Sequence, residues 1–289
     1  MFRSLRLVLA TLFVALIATA AAAEPAVWVV RGKAATVVLF GSVHLLPPGL
    51  NWEPERLKKA LASAQDVWFE IPIDDAANLA AGQAAIRAGL QPEGSTLRGQ
   101  LSTRDQARLA RAALVCGLPV EGLDRLKPWF ADVTLSVASY RMAGAAVEDG
   151  VERQVSASLP ASVQRQAFET PAEQIGYLSA APVADQVASL RETLDELDQG
   201  PVSYQRLVRA WMAGDARALR REALQPMMSQ APGVYKSLVS DRNNRWVETI
   251  ARRLNGSGEA VVIVGVGHLV GPDGVPALLR RRGFTVEGP

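Results

Sequence analysis

Thr36-Val-Val-Leu-Phe-Gly41-Ser42-Val43-His44-Leu-Leu-Pro-Pro48 aligns without a gap to Ala260-Val-Val-Ile-Val-Gly265-Val266-Gly267-His268-Leu-Val-Gly-Pro272, near the other end of the chain. Each stretch is an apolar, largely β-branched run followed by G-x-x-H-L and a proline. A continuous apolar run of this length reads as a strand buried on both faces. Glycine at its end lets the backbone turn sharply and delivers the residue three later to the rim of the sheet, where ligand sites of α/β proteins form. The chain contains only these two histidines, so their shared context predicts a repeated unit with both imidazoles facing one cleft.

Working outward, Val27 to Val30 and Thr36 to Phe40 form a predicted β-hairpin joined by Arg31-Gly32-Lys33-Ala34. A helix is predicted from Glu53 to Ala64 and a short strand from Asp66 to Ile71, ending at Pro72. Helical signals then dominate to about Asn255. They include Thr103 as a cap before Asp105 to Cys116, Pro128 in a first turn, and the segment Pro182 to Gln199. Val163 to Glu169 interrupts them as a strand candidate ahead of Pro171. The end returns to strand at Ala260 to Val264, a helix from Val275 to Arg282 closed by Gly283, and a last strand from Phe284 to Glu287. This order predicts a mixed α/β (α+β) fold: a small central sheet assembled from N- and C-terminal strands and covered by many helices. No low-complexity linker divides residues 24–289, which are expected to form a single domain.

Arg3 and Arg6 precede an apolar run from Leu7 to Ile17 and small residues at Ala21 and Ala23. This is the pattern of a secretory signal peptide over residues 1–23, too short in its apolar part for a spanning helix, with cleavage before Glu24. The mature chain is therefore expected in the periplasm or outside the cell, with no stable membrane insertion. With 31 basic and 29 acidic residues the formal charge is +2, and loss of the two leading arginines would bring it to about zero. Nucleic acid and anionic membranes are poor partners for such a surface. The basic pairs Lys58-Lys59, Arg220-Arg221 and Arg252-Arg253 and the triplet Arg280-Arg281-Arg282 read as solvated helix ends. A single cysteine, Cys116, excludes an internal disulfide and reads as core, as do Trp68, Trp129, Trp211 and Trp246.

Glu70 ends the third strand candidate after Val67, Trp68 and Phe69, where a charge is costly without a partner. Two imidazoles and a carboxylate, His44, His268 and Glu70, can hold a divalent metal and leave positions open for water. The competing reading makes the histidines satisfied structural residues and pairs Glu70 with an arginine.

Gly41-Ser42-Val43-His44, Phe69-Glu70, Lys127-Pro128-Trp129, Phe168-Glu169-Thr170 with Gln174, Trp211 with Gly214-Asp215, Arg242-Asn243 and Gly265-Val266-Gly267-His268-Leu269-Val270-Gly271 occur in the order seen in the TraB/GumN family, which this chain resembles over nearly all its mature length. The family is related to the Tiki proteins, and the resemblance implies a mixed α/β fold in a wider group with erythromycin-esterase-like and haem-binding ChaN-like proteins. Tiki members are metal-dependent proteases using manganese or cobalt, whereas bacterial members are tied to pheromone control and exopolysaccharide loci. Ser42 stands where the family usually has threonine, and Glu152 where it often has aspartate.

The function expected on these grounds is a metal-dependent hydrolase acting on a peptide or another amide or ester. His44, Glu70 and His268 would hold manganese, cobalt or zinc, and an activated water would attack the carbonyl. Glu169 is the candidate general base or fourth ligand, or else a carboxylate capping the helix that begins at Pro171. Arg242 would stabilise an oxyanion or salt-bridge Glu70 or Glu169, and Asn243 would orient a ligand. A metal-free variant uses His44 as base with Glu70 orienting it. A different class is a non-catalytic envelope module binding metal, haem or glycan and linked to exopolysaccharide export. For haem, no tyrosine or methionine closely accompanies either histidine.

Overall fold

The computed structural model describes residues 24–289, so the expected signal segment 1–23 lies outside the described residues. Strands β1 (Val27–Arg31), β2 (Ala34–Ser42), β3 (Asp66–Phe69), β4 (Gln164–Ala167), β5 (Ser257–Gly265) and β6 (Thr285–Glu287) form one mixed sheet in the order β4-β3-β5-β2-β1-β6. The expected hairpin is present, with Val29 opposite Val38. β5 lies between β2 and β3 and runs parallel to both, and β4 runs parallel to β3. Covered on both sides, β2 and β5 bury Val37, Val38, Leu39 and Phe40 and the whole run Ala260 to Val264. The mixed α/β fold assembled from both ends of the chain is therefore what the residues build.

The two repeats are neighbours in this sheet but not in step. Ser42 pairs with Gly265 and Gly41 with Val264, one residue off the alignment of the motifs. After Gly41 the strand continues through Ser42, whereas after Gly265 the chain coils at once into a single 3-10 turn, Val266–His268.

Trp246, Val247, Ile250 and Leu254 bury one face of the Asp241–Leu254 helix in the main core, which also contains the sheet and Trp211. A second cluster, built around Leu97, Leu109, Leu135 and Leu190, joins the helices Thr103–Val115, Pro128–Met142 and Val183–Asp198. Pro128 opens its helix as expected. Elsewhere side-chain chemistry moves the boundaries. Ser102, not Thr103, caps the next helix by accepting from the Asp105 amide. The first long helix is Glu55–Ser63, because Pro54 holds an extended conformation ahead of it. Arg252 and Arg253 do end a helix, but Arg253 reaches back to Asp66 at 2.8 Å, and Arg220 opens a π-helical turn. Cys116 is half-buried beside the second cluster, and burial pushes its thiol up. No helix among the described residues is long and apolar enough to cross a membrane.

Candidate functional site

All four parallel strands aim their carboxyl ends at the same place. His44 follows β2, Glu70 follows β3, Glu169 follows β4 and His268 follows β5. This is the edge at which open α/β sheets place ligands, because strand ends there give way to loops.

His44 is presented by a clamped loop. Leu46 bridges to Ala146, the Val151 amide donates to the Val43 carbonyl at 3.2 Å, and Tyr204 Oη donates to the Leu45 carbonyl at 2.9 Å. A Cβ on Gly150 would collide with the His44 carbonyl at 2.0 Å, so only glycine lets the two segments close. That closure brings Glu152, in the first turn of the Val151–Ser158 helix, beneath the imidazole. Glu152 Oε1 accepts from His44 Nδ1 at 2.7 Å and also from Ser42 Oγ. In the neutral ring Nδ1 thus carries the proton and Nε2 keeps its lone pair toward the cleft. Glu152 lifts the imidazole to about 9 against the opposing effect of burial, and water at the open side of the ring, 60% exposed, screens part of the attraction.

The second imidazole lies deep, 9% exposed. Its Nδ1 donates to Asn243 Oδ1 at 2.7 Å, and its Nε2 accepts from Arg242 Nη1 at 3.1 Å. Burial, outweighing the nearby Glu70, drives His268 down to about 3, so the ring is neutral. Arg242 also binds Glu70 Oε2 at 2.5 Å and Glu169 Oε2 at 2.9 Å, a buried cation shared by two buried carboxylates. For Glu70, burial opposes ionisation, but Arg242, the charged His44 imidazole and the Gly265 amide hold it well below the usual carboxylate range. Burial pushes Glu169 up despite Arg242 and the Trp246 indole N–H at 2.9 Å.

These groups border a cavity of about 480 Å³ lined by His44, Glu70, Arg242 and His268 and walled by apolar residues such as Leu207, Leu224 and Val239. Both histidines face it, as the repeat predicts. A Cβ built on Gly265 would meet Glu70 Oε1 at 3.1 Å, His44 Nε2 at 3.5 Å and His268 Cδ2 at 3.7 Å, so the three side chains surround one point. A shared divalent cation would need a free lone pair from each of them. His268 Nε2 instead faces the guanidinium, 3.7 Å from Glu70 Oε1, while Glu70 Oε1 accepts from the Gly265 amide at 2.7 Å. Glu70 Oε2 accepts from Arg242 and, at 3.1 Å, from Gln174 Nε2. Among the described residues, only His44 Nε2 of these donors is without a protein partner, and no group of three or more His, Cys, Asp or Glu is placed to share a metal. As arranged, this donor set does not fit a divalent cation.

Glu169 and Asn243 do not line the cavity. Glu169 does not cap the helix after it either: Thr170 does, in a capping box with Glu173. Asn243 holds His268 and, at 2.8 Å, the Asp273 carbonyl. The residue whose role sequence reasoning left open is Glu152; the glycine two positions earlier, the N-cap of its helix, is the point of close approach that brings it to His44. Gln174, on Glu70, and Tyr204, behind His44, complete the surroundings.

An uncharacterized protein of Treponema pallidum (strain Nichols) is 22% identical over 272 residues, covering 88% of this chain and 80% of that protein. None of the solved structures matches the chain. The profile of the TraB/PrgY/gumN family matches residues 26–288, from the first strand through the last, and the chain belongs to that family.

Proposed function

We propose that this protein is a hydrolase of ester or amide bonds that works by acid–base chemistry at His44. The observation that carries the reading is the Glu152–His44 pair, with Nδ1 tied down at 2.7 Å and Nε2 open to an apolar-walled cleft. In the neutral ring, whose share grows as pH rises toward about 9, Nε2 takes a proton from water as the water oxygen bonds to the substrate carbonyl carbon. The imidazolium, stabilised by Glu152, then returns that proton to the leaving oxygen or nitrogen as its bond to carbon breaks. Glu152 takes the orienting role expected of Glu70. The Arg242 cluster supplies a fixed, charged wall rather than a proton carrier, since each of its members is already paired. The site of action belongs to the same proposal: Arg3, Arg6, the apolar run to Ile17 and Ala21 and Ala23 support export to the periplasm or beyond.

The test is hydrolysis of a panel of p-nitrophenyl esters and peptide anilides by wild type and His44→Ala, each with EDTA and with manganese. Turnover by wild type that survives EDTA and disappears in His44→Ala is the expected result. Turnover abolished by EDTA and restored by manganese would assign the cleft to metal chemistry instead, and no turnover of any ester or anilide would defeat the hydrolase reading.

A further inference from the structure

Val133, Tyr140, Leu178, Ala223, Met227 and Leu238 line the His44 cavity and also line a second chamber of about 260 Å³ between the Pro128–Met142 and Val183–Asp198 helices. The two spaces therefore adjoin. Three carboxylates from these helices line the chamber, Asp132, Glu192 and Glu196, and none of them is in a salt bridge among the described residues. Glu222, on the same wall, differs, because Arg206 and Arg221 pair with it at 3.0 and 2.9 Å. Asp132 is fixed by Ser189 Oγ, donating at 2.6 Å, and Thr193 Oγ1, donating at 2.5 Å, which leaves each carboxylate oxygen with a further lone pair.

Two buried polar atoms on the chamber wall have no partner among the described residues. Gln186 Oε1 and Trp129 Nε1 are both unsatisfied, on residues only 4% exposed. Gln186 Nε2 donates to the Ala181 carbonyl at 2.8 Å and the Ser179 carbonyl at 3.3 Å, so the amide is fixed with its oxygen as the spare acceptor. Buried groups of this kind are normally paired, and unpaired ones mark a missing ligand or water. A ligand complementary to the wall carries positive charge and several N–H donors, with one acceptor for the indole. A guanidinium or ammonium group on a chain with a nearby carbonyl has that composition. Burial raises all three carboxyls, Glu196 to about 7, which a bound cation would reverse.

We propose that this chamber is the specificity subsite for a cationic group, so that the bond presented to His44 belongs to an ester or amide of a basic amino acid or basic peptide. The proposal rests on the hydrolase reading of the His44 cleft. Its test separates the two by measuring binding and turnover apart. Calorimetric binding of Nα-acetyl-arginine amide and its neutral isostere Nα-acetyl-citrulline amide is compared on the full chain, on His44→Ala, and on Asp132→Asn and Glu196→Gln. The Glu196 side chain makes no hydrogen bond among the described residues, so its substitution removes charge without unfolding risk from a lost bond. The arginine amide should bind at least about tenfold more tightly than the citrulline amide to wild type and His44→Ala, and each carboxylate variant should lose about tenfold. Equal binding of the two amides, or unchanged arginine binding in both Asp132→Asn and Glu196→Gln, would overturn the proposal. Charge-selective binding without turnover of arginine ethyl ester would uphold the subsite and overturn the hydrolase reading alone.

Discussion

His44 and His268 occupy the same position of the same motif, yet one ring is 60% exposed above Glu152 and the other 9% exposed under Arg242. The difference begins in the backbone. The strands pair one residue out of step, and the chain after Gly265 coils at once while the chain after Gly41 does not. A one-residue slip presents equivalent positions to different surroundings, so one duplicated motif yields an open, basic imidazole and a sealed, neutral one. The lesson is a division of labour: the first half of the repeat is free to exchange protons, and the second is committed to holding a charged scaffold.

That contrast is most severely tested at Arg242. Replacing it with Met leaves Glu70 and Glu169 buried without a counter-charge, and removal of one partner from such a network costs about 3–5 kcal/mol. Urea denaturation reads this directly, and a loss under about 1 kcal/mol would break the claim that the His268 half is scaffold. His44→Ala should do the reverse. Hydrolysis should fall by about a hundred- to ten-thousandfold, the usual contribution of a positioned acid–base group, with stability changed by less than about 1 kcal/mol. A destabilised but active variant would exchange the two roles.

Smaller effects sharpen the same line. Asn243→Ala removes the acceptor for His268 Nδ1 and strands a buried donor, at a cost of about 1–3 kcal/mol in thermal or urea unfolding. The smallest effect is in titration, and two histidines make it easy to follow by NMR. One imidazole should titrate above the usual 6.5, toward about 9, while the other stays unprotonated down to about pH 4. Because the folded value for His44 is raised, its pairing with Glu152 stabilises the fold fully below pH 6.5. That contribution is lost as pH rises through about 9, and it amounts to less than about 1 kcal/mol because the ring is solvent-facing. Glu152→Gln should flatten it. Two rings titrating alike would erase the distinction.

The strands of the site were legible because Thr36 to Phe40 and Ala260 to Val264 are apolar on both faces, a pattern that little but a covered parallel strand satisfies. Convergence of His44, Glu70 and His268 was legible for the same reason, as each follows the carboxyl end of such a strand. Which lone pair would meet which donor was not. The Arg242 guanidinium reaches His268, Glu70 and Glu169 across three separate elements, and no local pattern states that it will sit among them. Glu152 was harder still, because its approach depends on Gly150 lying against the His44 carbonyl, a contact that exists only after the chain has folded.

The place of β5 has a consequence for how the molecule comes into being. It is the strand between β2 and β3, yet it is among the last to be synthesised. Joining it to β2 closes a loop of most of the chain, an entropic cost met before any pairing repays it, so nucleation from the N-terminal hairpin alone is unfavourable and refolding should be slow. A nascent chain that has not yet delivered Ser257 exposes unpaired edges of β2 and β3, the kind of surface that aggregates or recruits a chaperone. Truncation before that point should therefore yield no half-working fragment, but a chain that cannot complete its fold.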